Sequence, residues 1–340
     1  MPRALVIQTS FLGDMVLTTP LISALAMHGD VDVVATPANA ALLTNHPDVR
    51  RVFVYDKRGE HSGLGGFRTL VARVRSQEKS DVAYLAQGSW RSAALALTAG
   101  FRQRVGFDTS AGRILYSRQV RFRKDEHHAA RLWRLAKGDD AAAPNASVLR
   151  PRLYPGEQED EAVDRLLGAA GYAGEPLIAI APGSVWATKR WPYYADLARR
   201  LTTIGRIVIV GGVDDASLAA AIVEATSGSA IDTTGQLSLL ASAALLGRSR
   251  VLVTNDSAPQ HLASAMDTPT VALFGPTVPA FGFGPLAGQS RIAQVEALRC
   301  RPCDAHGPRT CPLTHWRCMR DLTVAQVVDA IAHVQPIIKA

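Results

Sequence analysis

Short unbroken runs of Val, Ile and Leu recur along the whole chain, and helical patterns separate them. The first half carries ALVIQ, VDVVA, VRRVFVY and DVAYLA; the second carries LIAIA, RIVIVGG, SRVLVTND and PTVALFG. A strand that is apolar at every position, rather than at every second one, has to be covered on both faces, which is the condition of a parallel sheet wrapped by helices. Helical patterns near Thr18–Met27, through FRTLVARVRSQ and RSAALALTAG, and near Tyr193–Thr203, Ala216–Thr226 and Pro259–Ala265 supply the covering elements. Two such sets predict an α/β chain of two Rossmann-like, doubly wound domains, and 340 residues are long for one core but ample for two. Asp139–Gly156, rich in Ala, Pro and Asn, reads as the linker, and EQEDEAVDRLLGAAGY reads as an amphipathic helix opening the second half. The domains are therefore expected at 1–155 and 156–322.

With 47% hydrophobic and 20% charged residues the chain is too apolar for disorder. The apolar stretch ALVIQTSFLGDMVLTTPLISALAM is broken by Asp14, Gly13 and Pro20, so it suits neither a membrane span nor a signal peptide, and the protein is expected in the cytoplasm. Charge is unevenly spread. Residues 1–150 hold 21 Lys and Arg against 13 Asp and Glu, a net of +8, while residues 151–340 hold 16 against 17. A basic half is either a solvated surface or an attraction for a polyanion. No compact basic stretch interleaved with aromatics appears, so a nucleic-acid partner is not expected. The densest basic run is Arg121, Arg123 and Lys124.

In open parallel sheets ligands sit beyond the carboxyl ends of the strands. The loops there read TSFLGD, QGSW, APGSVWATKRW, GGVDD, NDSAPQH and FGPTVP. Pro259 suits the first turn of a helix, which leaves backbone N–H groups near Asp256, Ser257 and Ala258 to point at an anion. Ser184, Thr188, Lys189 and Arg190 gather on a neighbouring loop, so the two together suit a diphosphate. Neither GxGxxG after the first strand nor GxxxxGK[ST] occurs, so the usual dinucleotide and P-loop fingerprints are missing. Cys300, Cys303, Cys311 and Cys318 lie in RCRPCDAHGPRTCPLTHWRCM, a spacing that suits a structural zinc site with His306 and His315 in reserve, and equally four free thiols.

TSFLGDMVLTTPL, PGSVWATKRWP, VTNDSAPQHLASA and VALFGPTVP, in this order over nearly the whole chain, resemble the ADP-heptose:lipopolysaccharide heptosyltransferases of glycosyltransferase family 9, and KRWP is most like the heptosyltransferase II branch. The resemblance implies a GT-B architecture, with the acceptor on the first Rossmann-like domain, the donor on the second, the two facing across a cleft, and a last helix at 323–340 returning to the first domain. It implies an inverting heptosyl transfer that needs no metal, with Asp14 as catalytic base and Lys189 offsetting charge on the departing ADP. It places Ser184, Thr188, Lys189, Asp256, Ser257, Ala258 and His261 at the donor, with Asp215 toward the ribose and Leu237 toward the adenine. Ala258 stands where the family usually has Gly, which is tolerable only at negative φ. Gln87, Ser89, Trp90 and Arg91 are the candidate acceptor contacts. The implied partners are ADP-heptose, a phosphorylated lipid A core glycolipid and an anionic membrane, with the enzyme peripheral on the inner face of the inner membrane. Rival readings are a family 9 transferase with another nucleotide sugar or acceptor, and a nucleotide-sugar epimerase of similar architecture.

Overall fold

The structure, a computed structural model, describes residues 3–76 and 81–335, and it divides into two compact units at Tyr154 and Pro155. The first unit holds β1 (Ala4–Gln8), β2 (Val31–Ala35), β3 (Arg51–Val54), β4 (Val82–Leu85), β5 (Gln103–Phe107) and β6 (Arg118–Val120). They form one sheet in the order β3-β2-β1-β4-β5-β6, parallel at every pairing, with Val6 opposite Val33 on one side and Tyr84 on the other. The second unit holds β7 (Leu177–Ala181), β8 (Arg206–Ile209), β9 (Ile231–Asp232), β10 (Val251–Asn255), β11 (Thr270–Phe274) and β12 (Ser290–Gln294). Its sheet runs β12-β11-β10-β7-β8-β9, again parallel throughout. Counted within each unit, both sheets follow the 3-2-1-4-5-6 order of a Rossmann fold. The central strands β7, β10 and β11 are buried at every position, as their unbroken apolar composition requires.

The order has one consequence for function. Where the strand order reverses, between β1 and β4 in one unit and between β7 and β10 in the other, the crossovers leave in opposite directions and open a crevice at the carboxyl ends.

Two elements differ from the expectation. The first helix spans Leu12–Ala26 rather than beginning near Thr18, with Pro20 inside it. Proline cannot donate to the carbonyl four residues back, but the Thr19 hydroxyl donates to that carbonyl, Val16 O, at 2.9 Å, so the helix continues through the ring. The last helix, Val324–Val334, was expected to return to the first domain. It clusters instead with the second unit, opened by a capping box between Thr323 and Gln326, and its stripe of Val327, Ala330, Ile331 and Val334 lies in the core formed on the second sheet. An apolar stripe buried there has no face left to define a separate element. Ile338, the end expected for this helix, lies outside the described residues. Ile331→Ala is accordingly expected to cost about 3 kcal/mol, the scale for emptying a buried aliphatic site, read by denaturant unfolding at an unchanged slope.

Candidate active site

In the first unit, Asp14 lies in the first turn of helix Leu12–Ala26. It is not the helix cap: the N-cap is Phe11, which makes no side-chain capping bond. The carboxylate sits instead where the helix N-terminus favours negative charge. Ser10 Oγ donates to Asp14 Oδ2 at 2.6 Å, and Thr18 Oγ1 donates to the Asp14 carbonyl at 2.6 Å. His128, first residue of helix His128–Lys137, brings Nε2 to 3.8 Å from Asp14 Oδ1. Burial, reinforced by the nearby Arg131 and His127, drives the His128 pKa down to about 3, so the imidazole beside Asp14 is neutral at pH 7.

The neighbouring loops are stitched to this one. Thr9 Oγ1 donates to Gln87 Oε1, which also accepts from Ser92 Oγ at 3.2 Å, and Lys57 Nζ donates to the Thr9 carbonyl at 2.7 Å. Ser89 caps helix Trp90–Thr98, its hydroxyl accepting from Ser92 N–H at 3.1 Å, so that serine has a structural task where an acceptor contact was expected. Trp90 and Arg91 are exposed at the start of that helix.

In the second unit, Asn255 ends β10 fully buried and is completely used. Its Nδ2 donates to Pro182 O at 2.8 Å, while its Oδ1 accepts from Trp191 N–H at 3.2 Å and from the Tyr194 hydroxyl at 3.0 Å. Asp256 next to it is a second hub. Its Oδ2 accepts from Lys189 Nζ at 2.7 Å and from Thr277 Oγ1 at 2.7 Å, and its Oδ1 accepts from Gln260 Nε2 at 2.8 Å. Lys189 Nζ also donates to the Asp256 carbonyl at 3.1 Å. An ammonium has three N–H donors, and these two bonds leave one for a ligand. Ser257 is the N-cap of helix Ala258–Ala265 and makes no side-chain capping bond, so its hydroxyl leaves the amide end of that helix uncapped. Ala258 opens the helix and is not among the positive-φ residues, so its methyl group is accommodated. His261 is buried one turn in.

Other expected donor residues have defined places. Ser184 Oγ accepts from Trp186 N–H at 3.3 Å, and Arg190 Nε is spent on the Ser184 carbonyl at 2.9 Å. Buried Thr188 turns its hydroxyl to Pro308 O. Asp215 Oδ2 accepts from Gly212 N–H at 3.0 Å and fills the space beside Gly183, where an added Cβ would lie 2.2 Å from Asp215 Oδ1. Leu237 lines a groove of about 540 Å³ with Ala162, Leu166 and Ile231, a set that contains none of the residues around Lys189. Thr277, Gln260, Ser10 and His128 join these two clusters with no role assigned to them from sequence, and Asn255, conspicuous in the polar triplet, takes a structural one. The polar triplet ending an apolar strand signals Asn255; Ser10 and Gln260 lie four residues from the carboxylates they bond, while Thr277 and His128 are brought in by other elements.

The cysteines do not assemble as a metal site. Among the described residues no three His, Cys, Asp or Glu side chains are placed to hold an ion. All four are free thiols, with Cys303 exposed and Cys318 buried, and Cys300 Sγ stands 3.9 Å from His315 Nε2. Burial together with the neighbouring Cys303 pushes the Cys318 thiol up to about 11, so it stays protonated. His306 is diverted to stack on Trp186, with ring centroids 6.3 Å apart.

The chain is similar to known proteins in sequence and in fold. Residues 68–316 match the family model "Glycosyltransferase family 9 (heptosyltransferase)". Lipopolysaccharide heptosyltransferase 1 of Pseudomonas aeruginosa is 30% identical over 88% of this chain and 86% of its own. Lipopolysaccharide heptosyltransferase 2 of Salmonella typhimurium is 27% identical over 86% and 88%. The solved structure of Escherichia coli ADP-heptose lps heptosyltransferase II superposes with a TM-score of 0.78 at 25% identity, covering 99% of this chain and 98% of that one.

Two measurements test the site's electrostatics. His128 has a native pKa near 3 against 6.5 unfolded, so in that window the unfolded chain binds a proton that the native chain does not, and stability falls as pH drops from 6.5 toward 3. Above 6.5 both states are neutral and the contribution is constant. His128→Gln should lose less stability than wild type over that window in denaturant titrations. For the cysteines, metal analysis of protein never exposed to chelator should find no stoichiometric zinc, and a thiol reagent should titrate all 4 cysteines, Cys318 only on unfolding.

Proposed function

We propose, for a chain that belongs to glycosyltransferase family 9 and is thus a glycosyltransferase, that it moves heptose from ADP-L-glycero-D-manno-heptose to an inner-core heptose of lipopolysaccharide with inversion at the anomeric carbon. The observation that carries this reading is chemical division between two switch points. One presents a carboxylate, Asp14; the other presents Lys189 and a helix N-terminus with no side-chain cap.

Asp14 accepts the proton of the acceptor hydroxyl as that oxygen attacks. The bond from the anomeric carbon to the diphosphate oxygen breaks, and ADP leaves with the electron pair. Ser10 fixes the carboxylate rotamer, and neutral His128 does not compete for its charge. The third N–H of Lys189 and the amide end of helix Ala258–Ala265 face the charge that grows on the diphosphate. Asp256 acts here as the anchor of Lys189, since Thr277, Gln260 and Lys189 occupy both its oxygens. On this reading Asp215, which fills the space beside Gly183, meets the ribose. The reading asks for no metal.

The acceptor is a phosphorylated glycolipid of the lipid A core, met at an anionic membrane on whose inner face the enzyme works peripherally. The +8 of residues 1–150 supports that assignment, as does the absence, among the described residues, of a helix long and apolar enough to cross a membrane.

Mass spectrometry of the glycolipid product across a panel of nucleotide sugars tests the reading. ADP-heptose should give one added heptose, and ADP-heptose incubated without acceptor should stay unchanged; conversion of the sugar alone would make the protein an epimerase. Asp14→Asn should slow transfer about a thousandfold, within the range for loss of a general base, while ADP affinity measured by calorimetry stays near wild type.

A further inference from the structure

Two exposed apolar side chains of the first unit, Met27 at 78% and Val148 at 44%, line one groove of about 670 Å³ together with Trp133, Lys137, Arg150 and Arg152. Helix Leu12–Ala26 supplies Thr19, Pro20, Ser23 and Ala24 and ends against Met27; helix His128–Lys137 supplies Trp133 and Lys137; residues 147–154 close a third side. The walls are fixed. The Thr19 hydroxyl, which donates to Val16 O, accepts from Arg152 N–H at 3.0 Å, so the third segment is pinned to the first helix. Asn145 caps the turn Ala146–Leu149, its Oδ1 accepting from Val148 N–H at 3.0 Å, and with Leu149 buried beside it the Val148 side chain is left outside. Lys137 Nζ stands 3.4 Å from His28 Nε2, which joins the ends of the two helices.

Charge in the lining is one-sided. Three cations stand against one acid, Asp48, whose Oδ2 accepts from Ser23 Oγ at 2.6 Å. Exposed apolar side chains beside an indole and among Lys and Arg match the chemistry of a bilayer interface, where apolar groups enter the acyl boundary, an indole lies at headgroup level and cations remain with anionic headgroups. A soluble anion would use the cations and leave the apolar half of the groove unused.

The position fits as well. Both helices start at the base, with Asp14 in the first turn of one and His128, 3.8 Å from it, opening the other. Met27 is 13 residues beyond Asp14, about 20 Å at 1.5 Å per helical residue. A bilayer at the groove therefore leaves the carboxyl pole of the sheet open to the nucleotide sugar. An accepting sugar in the core of a glycolipid is held off from the acyl chains by the sugars between them, so it is met at a distance from the bilayer and not at its surface.

Two other surfaces serve less well. Exposed Phe11, Leu64, Trp90 and Ile114 follow the carboxyl ends of β1, β3, β4 and β5, the pole that the reaction needs unobstructed. In the run Arg121, Arg123 and Lys124, Arg123 bonds the Asp139 carbonyl at 2.8 Å, and the neighbouring Phe122 packs on Phe107 and under Arg131 instead of serving as an anchor.

We propose that this groove, through Met27, Val148 and Trp133 with Lys137, Arg150 and Arg152, is where the first unit seats on an anionic bilayer. The proposal rests on the reading of the acceptor as a membrane glycolipid and adds two things. The membrane lies at the end of helix Leu12–Ala26 remote from Asp14, and the accepting sugar must stand about 20 Å out from it.

Sedimentation with phosphatidylcholine vesicles, with and without phosphatidylglycerol, tests it. Wild type should bind the mixed vesicles and lose binding as salt rises. Met27→Ser combined with Val148→Ser should weaken binding about tenfold, the scale of withdrawing two partly inserted side chains. Lys137→Glu combined with Arg152→Glu should weaken it about thirtyfold at low salt, on the anionic vesicles only. Leu64→Ser combined with Ile114→Ser, at the other pole, should bind as wild type, and all variants should melt together. Transfer to an acceptor embedded in the mixed vesicles should fall with binding in both groove variants, while transfer to a short delipidated heptose acceptor stays at the wild-type rate. The docking surface is overturned by failure of wild type to bind the mixed vesicles, by unchanged binding in both groove variants, or by loss confined to the Leu64 and Ile114 pair. It is overturned equally by a self-association that Met27→Ser/Val148→Ser abolishes without any vesicle binding, and by an equal fall with the delipidated acceptor, which would make the groove a site for the glycan itself. No transfer by wild type to any heptose acceptor, embedded or delipidated, would overturn the functional reading instead, whatever the vesicles show.

Discussion

The buried pair of Lys189 and Asp256 is the interaction on which the second unit's site depends. Two charges removed from water are tolerable only when each is paired and hydrogen-bonded, and the loss of one partner strands the other. Here the carboxylate takes Lys189 from the loop after β7, Gln260 from the helix after β10 and Thr277 from the loop after β11. Three strand ends are thereby held together by one side chain. Asn255 ties Pro182, Trp191 and Tyr194, all of which follow β7, to the end of β10, so the polar triplet there is chiefly a clasp.

The two units share a strand order but not a way of using it. In the first, the carboxylate accepts a short-range bond from Ser10, Thr18 takes the Asp14 backbone carbonyl, and His128 is brought alongside by a helix whose sequence lies more than a hundred residues away. In the second, the cation is fixed by a partner across the switch point. The Asp14 side chain keeps 18% of its surface exposed, whereas the Lys189 side chain, held by both the carboxylate and the carbonyl of Asp256, keeps 10%.

The cysteine-bearing segment has a mechanical place in this scheme. Pro308 O accepts from the Thr188 hydroxyl, His306 stacks on Trp186, and Gly307, at φ +86°, lies so close that an added Cβ would stand 3.3 Å from Lys189 Cε. The segment backs the loop that presents Lys189. Its spacing suggested a metal, but spacing records only how far apart thiols are along the chain, and the fold sends His306 to an indole and Cys318 into the core.

Local pattern was enough to read two parallel α/β halves and the polar loops at the strand ends, because apolar periodicity and strand-to-helix turns are encoded within a few residues of one another. The chain divides between Tyr154 and Pro155, where linker composition gives way to an amphipathic helix. The early start of helix Leu12–Ala26 was not legible, since it turns on one hydroxyl taking the carbonyl that Pro20 leaves. Nor was the packing of helix Val324–Val334, whose apolar stripe states that it must be buried but not against what. Thr188 facing Pro308, and Lys189 and Thr277 as partners of Asp256, were decided only when strand order brought together segments up to 120 residues apart, whereas Ser89 caps its own helix through Ser92 three residues on. A sequence specifies the demand each buried polar group makes; which group meets it is set by the tertiary structure, because that choice depends on which strand ends become neighbours.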